Sequence, residues 1–292
     1  MKNSLEIRVP DNFSFRATVY SHGWSELRPF ELDEENWRLR YVFSDGNAAV
    51  AGVIFEDNGR LRIDLASSAI KTEKVLADVR HLLRLDDDLD GFYRAVSGDE
   101  RIAWIEHHRA GRLVRSPTVW EDLIKTICTT NCSWGLTKSM VANLVEKLGN
   151  GTPKRAFPTA EAMASVNETF YREEIRAGYR SPYFVELSEA VASGKLDPQA
   201  WLASDLPSPE LKKEMKKVKG VGDYAAENLL KLVGRYDGLA LDSFLRSQFY
   251  KTHNKEKVCP DKRIERHYRK YGQWRALVIW CDMTERWIGK TT

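Results

Sequence analysis

The chain has 292 residues, 42% apolar and 30% charged, with a net charge of +3. That length allows two or three units with real cores, and the near-neutral balance excludes a chain that holds nucleic acid by bulk charge alone. No run of eighteen apolar residues occurs and Met1 to Pro10 has no apolar signal core, so an intracellular protein is expected, cytoplasmic or nucleoid-associated, with no membrane partner.

The first eighty or so residues read as strands. Phe13–Val19, Trp37–Phe43 and Leu61–Leu65 alternate apolar and polar side chains, as half-buried strands do. Asp45-Gly46 and Asp57-Asn58-Gly59 supply hairpin turns. Residues 71–83 switch to a helical period, with Val75, Leu76, Val79, Leu82 and Leu83 on one side. After an acidic stretch at 84–90 nearly everything is helical. Trp120, Leu123, Ile124 and Ile127 form one apolar stripe; Met140, Val141, Leu144, Val145 and Leu148 form another, closed by Gly149-Asn150-Gly151. Helices are also expected over 160–166, 184–192 and 274–287. The fold class expected is α+β: an antiparallel β-sheet domain over 1–85, then a two-lobed all-α region over 86–292.

Four cysteines, at 128, 132, 259 and 281, give neither a disulfide framework nor a CxxC zinc pair. Cys128 and Cys132, four apart, read as small core residues. Between Arg246 and Lys270 nine Lys/Arg stand against three Asp/Glu; a solvated face and a phosphate-facing surface explain this equally well.

Residues 208–246 carry the chemistry. A Lys-rich helix, with Ser208 expected as N-cap and Pro209 at its first position, leads to Lys219-Gly220-Val221-Gly222-Asp223. A second helix follows, then Leu241-Asp242-Ser243. The glycines permit φ > 0 and leave amides uncovered beside a helix N-terminus, which favours an anion such as a phosphate. Asp242 follows twenty residues after the second glycine.

This pattern, with a helix-hairpin-helix at about 209–234, resembles the helix-hairpin-helix DNA glycosylase superfamily. Ile127-Cys-Thr-Thr-Asn131 is similar to a segment of its 8-oxoguanine branch that ends in a DNA-contacting Asn. Gly178-Tyr-Arg-Ser-Pro-Tyr183 resembles that branch's G-Y-R-x-x-Y turn. An N-terminal antiparallel sheet ahead of a two-lobed helical region is similar to the 8-oxoguanine and alkyladenine branches. The resemblance implies base flipping from damaged DNA, expected as duplex, by a monomer.

Asp242 is the expected catalytic residue. A fixed carboxylate stabilises the oxocarbenium-like sugar and orients the attacking water. Before Ser243-Phe-Leu-Arg246 it is also a competent helix N-cap, and the two roles coexist. Bifunctional relatives place a nucleophilic Lys two residues past the second glycine. Tyr224 stands there, and a phenol forms no Schiff base. Lys219 lies before the hairpin and Lys231 two helical turns beyond, so neither is expected to substitute. A monofunctional glycosylase without lyase activity follows.

Tyr224 and Trp280 are the expected base-pocket aromatics, suited to a cationic alkylated purine such as 3-methyladenine. The Gln that reads the base in the 8-oxoguanine branch aligns with Ala276. The amides of Gly220, Val221 and Gly222 are expected at a phosphate, with Lys219 adding charge and Asn131 probing the flipped nucleotide's gap. The resemblance also implies a monovalent cation (Na+ or K+) on the carbonyls of Lys219–Gly222. No other cofactor is expected, and too few cysteines follow Asp242 for an iron–sulfur cluster. The rival readings are an 8-oxoguanine or deaminated-base glycosylase and a non-catalytic binder of damaged DNA.

Overall fold

The computed structural model of the chain describes residues 3–288; Met1, Lys2 and residues 289–292, the outer ends of the two expected domains, lie outside the described residues. Strands β1 (Asn3–Arg8), β2 (Glu31–Asp33), β3 (Arg38–Ser44), β4 (Ala49–Asp57) and β5 (Arg60–Leu65) form one antiparallel sheet in the order β1-β5-β4-β3-β2. Asn58 and Gly59, at φ 51° and 73°, make the tight turn that pairs Asp57 with Arg60. Left-handed backbone at both central residues is what a two-residue hairpin of this hand requires.

Phe13–Val19 is not a strand. Ser14 accepts the Ala17 N–H (3.2 Å) and starts a short helix, α1 (Phe15–Val19). Phe15 and Val19, four apart, are both buried, so one helical turn serves the apolar residues that alternation had suggested for a strand.

Helices α2 (Thr72–Leu82), α3 (Asp90–Val96), α4 (Trp104–His107), α5 (Val119–Thr129) and α6 (Trp134–Leu148) come next. They are followed by α7 (Ala160–Ala164), α8 (Glu168–Phe170) and α9 (Ser181–Ala192). Then α10 (Ser208–Met215) and α11 (Asp223–Leu232) flank the glycine hairpin, and α12 (Ser243–His253), α13 (Asp261–Tyr268) and α14 (Arg275–Ile288) complete the fold. Ser208 is not the cap of α10 but its first residue. The carbonyl of Pro207 receives the Glu210 and Leu211 amides at 2.9 Å each, so backbone does the work expected of the hydroxyl.

Two buried clusters hold the molecule together. The first joins the sheet and α2 to the middle helices, through residues such as Leu39, Ile63, Val79, Ile124, Leu144 and Leu229. The second draws on 89–113 and 236–288, with Phe92, Ile105, Phe249, Ile264 and Leu277. The sheet thus shares its core with α5 to α11, and the apolar interior does not part at residue 85.

Buried arginines join these parts. Arg84, 1% exposed, donates to the carbonyls of Leu113 (2.7 Å), Lys231 (2.8 Å) and Leu232 (2.6 Å) and to Asp87 (2.8 Å). Arg115 adds a bond to the Leu232 carbonyl (3.0 Å) and one to the His81 carbonyl (2.9 Å). These guanidiniums satisfy carbonyls that the C-terminus of α11 leaves open, where the helix dipole also favours a cation. Replacing Arg84 by Met strands the Leu113 carbonyl, removes one of two donors from each of the Lys231 and Leu232 carbonyls, and weakens the hold on Asp87. We expect a loss of about 3–5 kcal/mol, read as a lower urea midpoint with an unchanged slope.

Candidate active site

Helix α11 builds one wall of a cleft of about 1240 Å³. Tyr224, Asn228 and Lys231 recur at i, i+4 and i+7, so they lie on one helical face, and all three line the cleft. His22 and Trp24, from the segment after α1, line it as well, with Trp280 and Trp287 of α14 and the residues at the start of α12. Asp242, Tyr224 and Trp280, proposed from widely separated stretches of sequence, therefore meet in one place. Ala276 instead is 2% exposed in the second cluster.

Asp242 lines the cleft and caps α12 at once. Its Oδ1 accepts the Leu245 amide at 2.6 Å. Oδ2 has no hydrogen-bond partner among the described residues. A carboxylate fixed by one oxygen while the other stays open is preorganised to face developing positive charge. Its field reaches its neighbours: burial pushes the Tyr224 phenol upward and the Asp242 charge adds to that shift.

Lys231, two turns along α11, was expected not to take the place of the nucleophilic Lys; it lies on the same helical face as Tyr224, because seven residues return to the same side of a helix. Its side chain is 4% exposed and its Nζ lies 4.4 Å from the centroid of the Trp280 ring. Burial lowers its pKa to about 8, against which the Asp242 and Glu227 charges pull upward. Trp280 is itself fixed, donating Nε1–H to the Ser21 carbonyl (2.7 Å). Beside it His22 donates Nε2–H to the Val114 carbonyl. Burial lowers the His22 pKa to about 3, and the Lys231 charge contributes, so the ring is neutral. Trp24 packs on His22 (centroids 4.7 Å apart) and donates to Asp122 (2.7 Å). Burial raises the Asp122 pKa to about 6.

The hairpin corrects two details. Only Gly220 has positive φ (+90°), and a Cβ there would sit 2.8 Å from the Tyr183 ring. Gly222 is extended (φ −86°) with nothing within 4 Å of where a Cβ would stand; its missing side chain opens the backbone rather than allowing a turn. Val221 is a core residue, 4% exposed, and its N–H is already bonded to the Val218 carbonyl (3.0 Å). The amides left for an anion are those of Gly220, Gly222 and the first turn of α11.

The hairpin lysines are paired. Lys219 meets Glu186 (2.8 Å), Lys217 meets Glu214 (2.6 Å), and Lys212 and Lys216 share Asp223 (3.0 and 3.1 Å). Such exposed pairs are worth about 0–1 kcal/mol each, so a phosphate can replace either partner's contact.

Asn131 lies just past α5 at φ +46°, a conformation Asn tolerates, and it lines the cleft. Its Nδ2 donates to the Tyr179 hydroxyl (3.4 Å). Tyr179, which the sequence reading did not single out, is 46% exposed. Arg180 lies 4.5 Å from its ring centroid and bonds the Ile127 (3.0 Å) and Thr130 carbonyls. An exposed, supported aromatic thus stands beside the cleft residue Asn131. Among the described residues, His253, His267 and Asp282 converge closely enough to hold a metal ion. None of them lines the cleft, and Asp282 already accepts from His253 (2.8 Å) and Tyr268 (2.6 Å).

Lys231 gives stability a calculable pH dependence. Between pH 8, its folded pKa, and about 10.4, its unfolded one, the unfolded chain binds the extra proton. Stability from this residue therefore rises with pH across that window. Below pH 8 it carries the full penalty, on the order of 3 kcal/mol. Lys231→Met should be more stable than the parent at pH 6.5, with the gap closing by about pH 10, by urea unfolding at each pH.

No protein-family model matches the chain, and no curated protein does. Solved structures match it over nearly its whole length. MBOgg1, solved with a low-affinity DNA ligand, is 18% identical with a TM-score of 0.78, covering 99% of this chain and 97% of that one. The Clostridium acetobutylicum 8-oxoguanine glycosylase/lyase, with dsDNA containing cytosine opposite 8-oxoG, is 18% identical with a TM-score of 0.75 (98% and 96% covered). The 3-methyladenine DNA-glycosylase from Archaeoglobus fulgidus is 17% identical with a TM-score of 0.77 (97% and 98% covered). The α+β architecture, with its N-terminal antiparallel sheet and its glycine hairpin between helices, is the fold shared with these solved 8-oxoguanine and 3-methyladenine DNA glycosylases.

Proposed function

We propose that the chain is a monofunctional DNA N-glycosylase of base excision repair, acting on damaged purines in duplex DNA. The observation that carries this reading is the Asp242 carboxylate: one oxygen is tied to its own helix and the other is free in a cleft. A pure binder has no need of that arrangement.

In this mechanism the N-glycosidic bond breaks with its electron pair leaving on the base. Asp242 stabilises the cationic sugar until water adds to the sugar carbon, and its carboxylate then takes the proton that the water gives up and passes it to solvent or to the departed base. The hairpin amides grip a neighbouring phosphate, and Tyr179 with Asn131 fills the gap in the stack. The carbonyls of Lys219, Gly220 and Val221 accept no backbone bond among the described residues, whereas that of Gly222 takes the Ala226 amide (2.9 Å). The first three would hold a monovalent cation, which when bound adds positive charge at the phosphate.

Tyr224, in place of an amine, supports hydrolysis without strand cleavage. Lys231 is an amine in the cleft, but it rests on Trp280 and forms no ion pair with Asp242 among the described residues. For the substrate, the Tyr224 ring on the cleft wall supports an alkylated purine. A second reading, an oxidised or deaminated purine, is favoured by one observation: a buried cation already occupies the face of Trp280.

Asp242→Asn keeps an oxygen for the Leu245 amide, so the fold should persist while base release falls about 10²- to 10³-fold. Release at the parental rate would remove the carboxylate from the mechanism. With a lesion-bearing duplex the parent should leave abasic sites that break only after alkali; a borohydride-trapped protein–DNA adduct would contradict hydrolysis.

The two hairpin glycines should separate stability from binding. Gly222→Ala should hold stability within about 0.5 kcal/mol yet weaken duplex binding, in a filter-binding titration. Gly220→Ala should lose about 1–3 kcal/mol of stability, because it strains a left-handed residue against Tyr183.

A further inference from the structure

Lys231 buries its stem in the cleft wall and turns its ammonium to the cleft, with no protein acceptor among the described residues. It is 4% exposed, lines the cleft, and among the described residues its Nζ makes no hydrogen bond or ion pair. Its nearest described interaction is with the Trp280 ring, 4.4 Å to the centroid. An ammonium has three donors and no acceptor. With no protein acceptor taking them, these donors are available to whatever displaces water from the cleft.

The same wall offers a complementary group. His22 uses Nε2–H on the Val114 carbonyl, which leaves Nδ1 unprotonated in a ring that stays neutral. His22 also lines the cleft and lies close enough for the Lys231 charge to act on it. One donor cation and one neutral acceptor on the same cleft wall are the two kinds of group that a lactam edge, a carbonyl oxygen next to a ring N–H, takes. A purine alkylated at a ring nitrogen carries positive charge and would be repelled.

We propose that Lys231 is the specificity-determining residue of this site, donating to the carbonyl of a neutral lactam-bearing purine and rejecting cationic alkylpurines. The inference rests on the proposed glycosylase reading. Oxidation and deamination both create such an edge, 8-oxoguanine through its imidazole ring and hypoxanthine through its pyrimidine ring. Trp280 acts here as the support of the ammonium rather than as the stacking partner of the base.

The test is single-turnover base release from duplexes containing 8-oxoguanine, hypoxanthine or 7-methylguanine. The parent, Lys231→Met and Lys231→Arg are compared, with binding to a tetrahydrofuran abasic-site duplex as the measure of an intact fold. The parent should release one or both neutral lactam purines in preference to 7-methylguanine, whose lactam edge is carried on a cationic ring. Lys231→Met should lose about 100-fold on the lactam purine, keep or gain on 7-methylguanine, and bind the abasic duplex as the parent does; Lys231→Arg should recover part of the loss. An unchanged ratio among the three bases, an equal loss on all of them, or preferential release of 7-methylguanine by the parent overturns the role of Lys231 and leaves the glycosylase reading standing. No release from any lesion by a parent that binds the abasic duplex overturns the glycosylase reading, and this inference with it.

Discussion

Two guanidiniums closing the C-terminus of α11 are the constraint on which the site depends. Arg84 and Arg115 reach the last carbonyls of that helix from the segments at 84 and 115, and Arg84 also holds the Leu113 carbonyl and Asp87. Each bond alone is an ordinary charged hydrogen bond. Together they fix the axial position of α11 against both buried clusters, because a planar fork with several acceptors permits little sliding. The rotation of that helix decides whether Tyr224, Asn228 and Lys231 face the cleft or the core. Arg112 extends the arrangement, bonding the backbone of Arg84 and the Asp87 carbonyl (2.9 Å).

Much of this was legible in the sequence wherever a local rule and a tertiary need agree. Asn58-Gly59 encodes its hairpin because few residues take two left-handed conformations in succession. Leu123, Ile124 and Ile127 of α5 and Met140, Val141, Leu144 and Val145 of α6 are buried as their period requires, although α5 also buries Glu121, Asp122 and Lys125. Phe13–Val19 was misread because over seven residues alternation and a helical turn place nearly the same side chains inside. The segment 84–90 reads as acidic, yet its structural weight lies in its one arginine; composition counts charges and is silent on which of them is buried. The wall formed by His22 and Trp24 was invisible for a different reason, since those residues reach the cleft through tertiary packing, Phe15, Val19 and Trp24 entering the first buried cluster and Ala17 the second.

Lys231 shows where spacing arguments need the helix period. Distance along the chain makes it remote from the hairpin, whereas seven residues bring it back to the face that holds Tyr224. The polar stripe Tyr224, Asn228, Lys231 was the available signal, interrupting the apolar residues of α11. The hairpin gives the converse lesson. Its lysines suggested a basic surface, but each of the four discussed has an acidic partner, so affinity for a phosphate must come from oriented amides, with the lysines contributing by exchange of partners.

Helix α11 can then be understood as a ruler about 15 Å long. Its N-terminus presents open amides and a positive dipole end beside the hairpin. Its C-terminus is clamped by buried guanidiniums, and its middle face carries the groups that line the cleft. A phosphate held at one end and an aromatic wall fixed at the other set the distance available to an extruded nucleotide. Asp242 enters from α12, whose start it determines by its own cap, so carboxylate and ruler are positioned by independent devices. The buried ammonium of Lys231 sits near the negative end of the dipole, which offsets part of the penalty for keeping a charge out of water. Because that penalty is only partly offset, the fold retains a charge that an apolar side chain of the same length would avoid. Packing gives no reason to keep it; an acceptor arriving from outside does.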